Sequence, residues 1–178
     1  TLHPTEGYFD AWESEGDTTR MRRIGDWVIK NRGNHLQWVA LDAMPANWEA
    51  DTRTINEALQ ARGLTTGLGV QLFSEANLQE AFNLVADDAV DLEAQMEREW
   101  SRVTGAGFDL FNLSFGEFFS SEPETFVASI DQSYEILGTQ DAEAEMTTVL
   151  HVGDDLRVDY EGEEWIYYLL AQFADPEI

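Results

Sequence analysis

Cysteine is absent from this sequence and lysine nearly so: Lys30 is the only one, and 10 Lys and Arg together face 35 Asp and Glu, for a formal net charge of -25. Without thiols there are no disulfides, no thiolate metal sites and no cysteine nucleophile, an absence that fits the cytosol and an exported location equally. So acidic a chain repels extended polyanions, which excludes nucleic acid and anionic membrane surfaces as partners on electrostatic grounds. No apolar run approaches the roughly 20 residues of a membrane span, and the N-terminus lacks the charged and apolar blocks of a secretory signal. Prolines number only 4, and no low-complexity linker or repeat divides the chain. An initiator methionine is also missing, so the chain is expected to be a processed product or a piece of a longer polypeptide.

What is present fits one globular domain: 178 residues, 43% of them hydrophobic. The carboxylates are spread along the whole sequence, as on the surfaces of salt-adapted proteins or of an ordinary acidic protein kept soluble by charge.

Residues 1–17 carry aromatics among turn formers without a sustained period and read as an irregular lead-in. Met21, Ile24, Trp27 and Val28 then predict a helix over Thr18–Asn31, ended by Gly33. Leu36–Met44 reads as strand 1, followed by a helix capped at Asn47 and stopped at Arg62-Gly63. Thr65–Phe73 is strand 2. Apolar steps of three or four residues predict one long helix over Asn77–Thr104, or two broken near Asp87-Asp88. Phe108–Phe118 is strand 3, Ser121-Glu122-Pro123-Glu124 opens a helix running to Gly138, and Thr147–Val152 is strand 4. Trp165 to Phe173 predicts a last helix, ended at Asp175-Pro176. The class is α/β: four consecutive βα units after an N-terminal helix, with crossovers long enough for a parallel sheet.

Placing the larger aliphatics toward the helices assigns Val39, Leu41, Leu68, Val70, Leu72, Phe111, Leu113, Phe115, Leu150 and Val152 to the outer face. Trp38, Ala40 and Asp42, then Gly67, Gly69 and Gln71, then Asn112 and Ser114, then Thr147, Val149 and His151 take the inner one. That face becomes polar toward the strands' C-terminal ends, which fits a (β/α)8 barrel interior opening into a site better than an open sheet covered on both faces. Four units make half of such a barrel, and the missing half is expected in the same polypeptide past Ile178 or in a second copy. The turn Asp42–Asn47 has no glycine-rich phosphate cradle, so a dinucleotide fold is not supported.

Several side chains could supply chemistry at that mouth. Glu117, on a glycine turn between aromatic residues, is in surroundings that raise a carboxyl pKa and suit a general acid; the plain alternative is a solvated loop carboxylate. Asp42, at the tip of strand 1, is either a base or hydroxyl ligand, or an Asx-type cap. His151 and Asp154 close strand 4 as substrate-binding groups or as ordinary rim residues. Gln71, Asn112 and Ser114 are neutral hydrogen-bonding groups suited to a polyhydroxylated ligand, and Trp48 or Phe73 either stacks on a sugar ring or belongs to the core. No metal-binding spacing and no cofactor motif is present, and Ser114 lacks a nucleophile elbow.

Asn34-His35-Leu36-Gln37-Trp38 with Asp42 at the strand tip, the stretch Ala58–Val70 and Phe115-Gly116-Glu117-Phe118 together resemble the N-terminal half of sugar-cleaving (β/α)8 barrels, the loose group of β-hexosaminidases and α-glucuronidases. The likeness covers Arg20 to Val152. It implies a carbohydrate-active hydrolase domain with Glu117 and Asp42 as catalytic carboxylates and Gln71, Asn112, Ser114, His151, Asp154 and Trp48 binding substrate, the second carboxyl group of glycoside hydrolysis being supplied by the other half. A metal-dependent hydrolase and a non-catalytic carbohydrate-binding or scaffold barrel are the alternatives.

Overall fold

The computed structural model describes residues 18–73, 81–85, 91–114, 122–149 and 156–174. Its elements run α1 (Thr19–Lys30), β1 (His35–Val39), α2 (Trp48–Gln60), β2 (Thr65–Phe73), β3 (Asn83–Val85), α3 (Leu92–Ser101), a 3-10 turn (Thr104–Ala106), β4 (Leu110–Ser114), α4 (Pro123–Gln140), β5 (Glu145–Val149), β6 (Arg157–Tyr160), β7 (Glu163–Ile166) and a 3-10 segment (Tyr167–Phe173). The chain is therefore α/β, with parallel strands alternating with helices.

The principal sheet is ordered β1-β2-β4-β5, all neighbours parallel, so spatial order follows chain order without reversal. β3 lies off this path. It pairs with β2 at Gln71 and Phe73, just past Gly69, where the β1 pairing ends. The relay is made by backbone: Phe82 N–H donates to Ala40 O at 2.9 Å, and Gln71 N–H donates to Phe82 O at 3.1 Å.

Local sequence explains several boundaries. α1 ends where Arg32 takes a left-handed φ of 62° and Gly33 N–H closes on Val28 O at 2.8 Å. A Cβ at Gly33 would stand 2.6 Å from a Val28 methyl, so the glycine serves close approach there. Asp91 caps α3, its Oδ1 accepting from Ala94 N–H at 3.1 Å. Pro123 stands in the first turn of α4, where its missing N–H costs nothing.

Three expectations are corrected. The predicted helix over Asn77–Thr104 contains instead β3 and the shorter α3, because Phe82 and Leu84 are buried at strand alternation. The predicted last helix is instead β7 followed by the 3-10 segment. There β6 and β7 form an antiparallel hairpin around Glu161 (φ 54°) and Gly162 (φ 85°), the doubly positive φ of a type I′ turn. Strand 1 is shorter than expected and has the opposite facing, as described below. The lead-in, the ends of strands 3 and 4 beyond Ser114 and Val149, and the predicted stop at Asp175-Pro176 lie outside the described residues.

The core lies on one side of the sheet. Leu36 and Trp38, then Leu68, Val70 and Leu72, then Phe111 and Leu113 are buried on that side against Ile55 and Leu59 of α2, Met96 and Trp100 of α3, and Phe126, Ile130 and Leu137 of α4. Its centre is aromatic: Trp100 meets Phe111 edge-on at 5.1 Å, and Phe108 meets both Phe111 (5.9 Å) and Trp38 (5.6 Å) the same way. The one polar atom of Trp100 is satisfied by donation to Ser133 Oγ at 3.1 Å.

A second device fixes the approach to β4. Arg53, Asn56 and Gln60 fall on one stripe of α2 and donate to three successive carbonyls, Gly105 O (Nε, 2.6 Å), Ala106 O (2.8 Å) and Gly107 O (2.9 Å). Asp109 Oδ2 then accepts from Thr66 N–H at 2.7 Å and from Gln60 at 3.1 Å, setting β4 beside β2.

Candidate binding face

Register decides which side chains share the other face of the sheet. Gln37, Gly67, Leu110 and Glu145 stand abreast, as do Val39, Gly69, Asn112 and Thr147; Gln71 stands beside Ser114 and Val149. On this face Gln37, Val39, Gly69, Gln71, Leu110, Asn112 and Ser114 are half-buried, and Glu145 and Thr147 are exposed. Among the described residues no helix packs over it. Among the described residues the sheet is thus apolar and helix-covered on one side, while the other carries its polar side chains together with Val39 and Leu110.

The expected facing holds for β2, β4 and Thr147 of β5, and fails for β1. Trp38 and Ala40 belong to the buried side, at 4% and 3% exposure, while Gln37 and Val39 face the open one. The physical reason is size: the Trp38 ring fills the gap beside Phe108 that Val39 cannot fill. The polarity gradient also fails in β1, whose polar residues on the open face, His35 and Gln37, sit at its N-terminal end.

Gly67 and Gly69 make the floor of this face. A Cβ at Gly67 would stand 2.8 Å from the His35 ring, and one at Gly69 would meet Gln37 Nε2 at 3.3 Å and a Val39 methyl at 3.4 Å. Both glycines admit side chains of β1 that lean across β2. His35 and Gln37 are therefore members of the open face that the sequence reading did not single out; glycines at every second position of a buried strand were the available signal.

Gln71, Asn112 and Ser114 come together here as expected. Gln71 Nε2 donates to Phe73 O at 2.7 Å, which anchors its amide and leaves its oxygen as an acceptor for a ligand. Asp42 does not join them. It sits in the turn after β1, its carboxylate 3.5 Å from Arg102 Nη1, while Arg102 Nη2 donates to its carbonyl at 2.8 Å. Arg102 also pairs with the nearly buried Glu99 at 2.5 Å and lies 5.1 Å above the Phe82 ring, so Asp42 ties a loop to α3. Trp48 is half-buried with its ring 6.4 Å from Phe108, and Phe73 is buried 6.3 Å from Phe126; both belong to packing. Glu117, His151 and Asp154 lie outside the described residues.

Among the described residues no three acidic or histidine side chains gather as metal ligands would. No helix among them is long and apolar enough to cross a membrane. The geometry offers amides, a hydroxyl and an imidazole along a glycine-floored strip, a donor-and-acceptor set for a neutral polar ligand. No protein-family model and no curated protein matches the chain.

Proposed function

We propose that the open face binds a hydroxyl-rich ligand, a carbohydrate being the class that fits, and that its sheet is half of a (β/α)8-type barrel. The observation that carries the reading is the register that sets Gln71 beside Ser114, with Asn112 one pair below, on the face that no helix among the described residues covers. Neutral amides and hydroxyls match the paired donors and acceptors of sugar hydroxyls, and a glycine floor lets a ring approach the backbone. The barrel half is supported by the unreversed strand order, which keeps successive crossovers on one side, and by a polar second face. Carbohydrate hydrolysis in this reading falls to Glu117 as acid; Asp42, held by Arg102, is not its partner.

Titration calorimetry against a panel of mono- and oligosaccharides, followed by turnover assays on chromogenic glycosides, tests it. Each hydrogen bond contributes about 0.5–1.5 kcal/mol, so a Gln71→Ala, Asn112→Ala double variant should weaken binding by roughly tenfold or more. Binding that the double variant leaves unchanged overturns the assignment. Turnover abolished by Glu117→Gln with binding retained marks a hydrolase; binding without turnover marks a carbohydrate-binding barrel.

A further inference from the structure

The distribution of the few positive charges is uneven. Of the 10 Lys and Arg, five fall within residues 20–32: Arg20, Arg22, Arg23, Lys30 and Arg32. The other five, Arg53, Arg62, Arg98, Arg102 and Arg157, all form ion pairs within the molecule, Arg62 with Asp26 of α1 at 3.3 Å. Among the described residues, Arg22, Arg23, Lys30 and Arg32 form none, although the chain carries 35 carboxylates to choose from. Arg23 and Lys30 stand one helical turn to either side of Trp27 on α1, and at 64% Trp27 is the most exposed large hydrophobic residue among the described residues. Arginine around an exposed tryptophan is the composition of an interface centre.

A surface of the opposite sign lies at the other end of the molecule. The β6–β7 hairpin presents Asp159, Glu161 and Glu163 to solvent, and Glu124 and Asp131 of α4 are close enough that, after desolvation and with Glu161, they help hold the Tyr160 hydroxyl above its ordinary pKa. α1 packs on β1 and α2, whereas β6 packs on α4, the helix that joins β4 to β5. The basic surface thus lies on the β1 side of the sheet, and the acidic one lies against the helix that leads into β5. The β1 and β5 edges are open: among the described residues β1 pairs only with β2, and β5 only with β4.

We infer that the protein closes its sheet against a second copy of itself, the β1 edge of each protomer meeting the β5 edge of the other, with basic α1 seated on the partner's acidic hairpin. The inference rests on the half-barrel reading and names what completes it. A two-fold axis makes the same charge-matched contact twice and pairs the β1 and β5 edges of both protomers. Screening over about 8 Å at physiological salt limits the repulsion between two acidic bodies to the surfaces that touch, where the signs are opposite.

Sedimentation velocity on the full chain, over a wide concentration series at moderate ionic strength, tests the inference. The wild type should be dimeric. Arg22→Glu with Arg23→Glu should weaken the dimer by about tenfold or more. The decisive variant is Glu161→Arg with Glu163→Arg, which removes two negative charges, adds two positive ones and takes the formal net charge from -25 to -21. General charge repulsion predicts a tighter dimer from it; pairing with α1 predicts a weaker one, with strength restored when both pairs of reversals are combined. Far-UV circular dichroism checks that these exposed substitutions leave the fold intact. A wild-type monomer throughout, or a dimer that the hairpin reversals leave unchanged or tighten, overturns the inference. A monomer that still binds sugar through Gln71 and Asn112 overturns closure alone; a dimer that binds none overturns the ligand reading alone.

Discussion

Trp38 and Gln37 are adjacent in sequence and on opposite faces of β1, so a pair of alanine substitutions reads the orientation of the strand directly. Trp38 is 4% exposed with its ring edge-on to Phe108 at 5.6 Å, whereas Gln37 is half-buried on the open face. Truncating a buried aromatic costs about 3–5 kcal/mol, a large share of the roughly 5–15 kcal/mol that stabilises a typical domain. At about 2–4 °C per kcal/mol for a chain of this size, Trp38→Ala should lower Tm by roughly 6–20 °C. Gln37→Ala should cost about 0.5 kcal/mol or less, as substitutions away from buried features do. Urea unfolding followed by far-UV circular dichroism suits the comparison, because removing a tryptophan alters fluorescence for reasons unrelated to stability. If Gln37→Ala proves as costly as Trp38→Ala, the facing of β1, and with it the membership of the open face, is wrong.

A methyl group added at Gly67 meets the His35 ring, so Gly67→Ala should destabilise by about 1–3 kcal/mol; a double-mutant cycle with His35→Ala should recover most of the loss, and additive effects would disprove the contact. Ser133→Ala leaves the buried Trp100 Nε1–H without its acceptor, at about 1–3 kcal/mol in a denaturation midpoint, while Ser133→Thr should retain part of the bond. The Tyr160 phenol is raised by desolvation first, then by Glu161, Glu124 and Asp131. A group that holds its proton more tightly folded than unfolded contributes stability in full below the unfolded pKa and loses it as pH rises through the folded one. The unfolding midpoint should therefore fall across alkaline pH, less steeply in Tyr160→Phe, and an absorbance titration that places Tyr160 at or below the ordinary tyrosine value would contradict the placement.

Elements with two agreeing signals were legible in the sequence. α1 and α2 combine helical spacing with a glycine stop, β2 alternates Leu68, Val70 and Leu72 with smaller or polar residues, and α4 has proline in its first turn. β1 was legible as a strand but not in its facing, because ranking side chains by aliphatic size set aside Trp38, the largest of them and the one that fits beside Phe108. β3 was hidden because Phe82 and Val85 lie three apart, a helical step, although Leu84 between them is buried as well. The β6–β7 hairpin turns on Glu161-Gly162, whose glutamate at φ 54° lacks the Asn or Asp that normally announces such a turn. Within the site, Gln71, Asn112 and Ser114 followed from alternation alone. Asp42 lies off the strand because the chain leaves it after Val39, and Arg102, 60 residues away, stands 3.5 Å from its carboxylate.

The stripe of Arg53, Asn56 and Gln60 on α2 has a consequence for how such a chain can change over evolutionary time. Each side chain is matched to one particular carbonyl of a segment about 50 positions downstream, so α2 works as a template on which β4 begins. Deleting or duplicating one βα module between them would move every carbonyl out of step with its donor and strand the fully buried Asn56. The modules of this sheet are therefore not interchangeable tiles, and the chain is left to vary by point substitution and by loop length on the side away from α2.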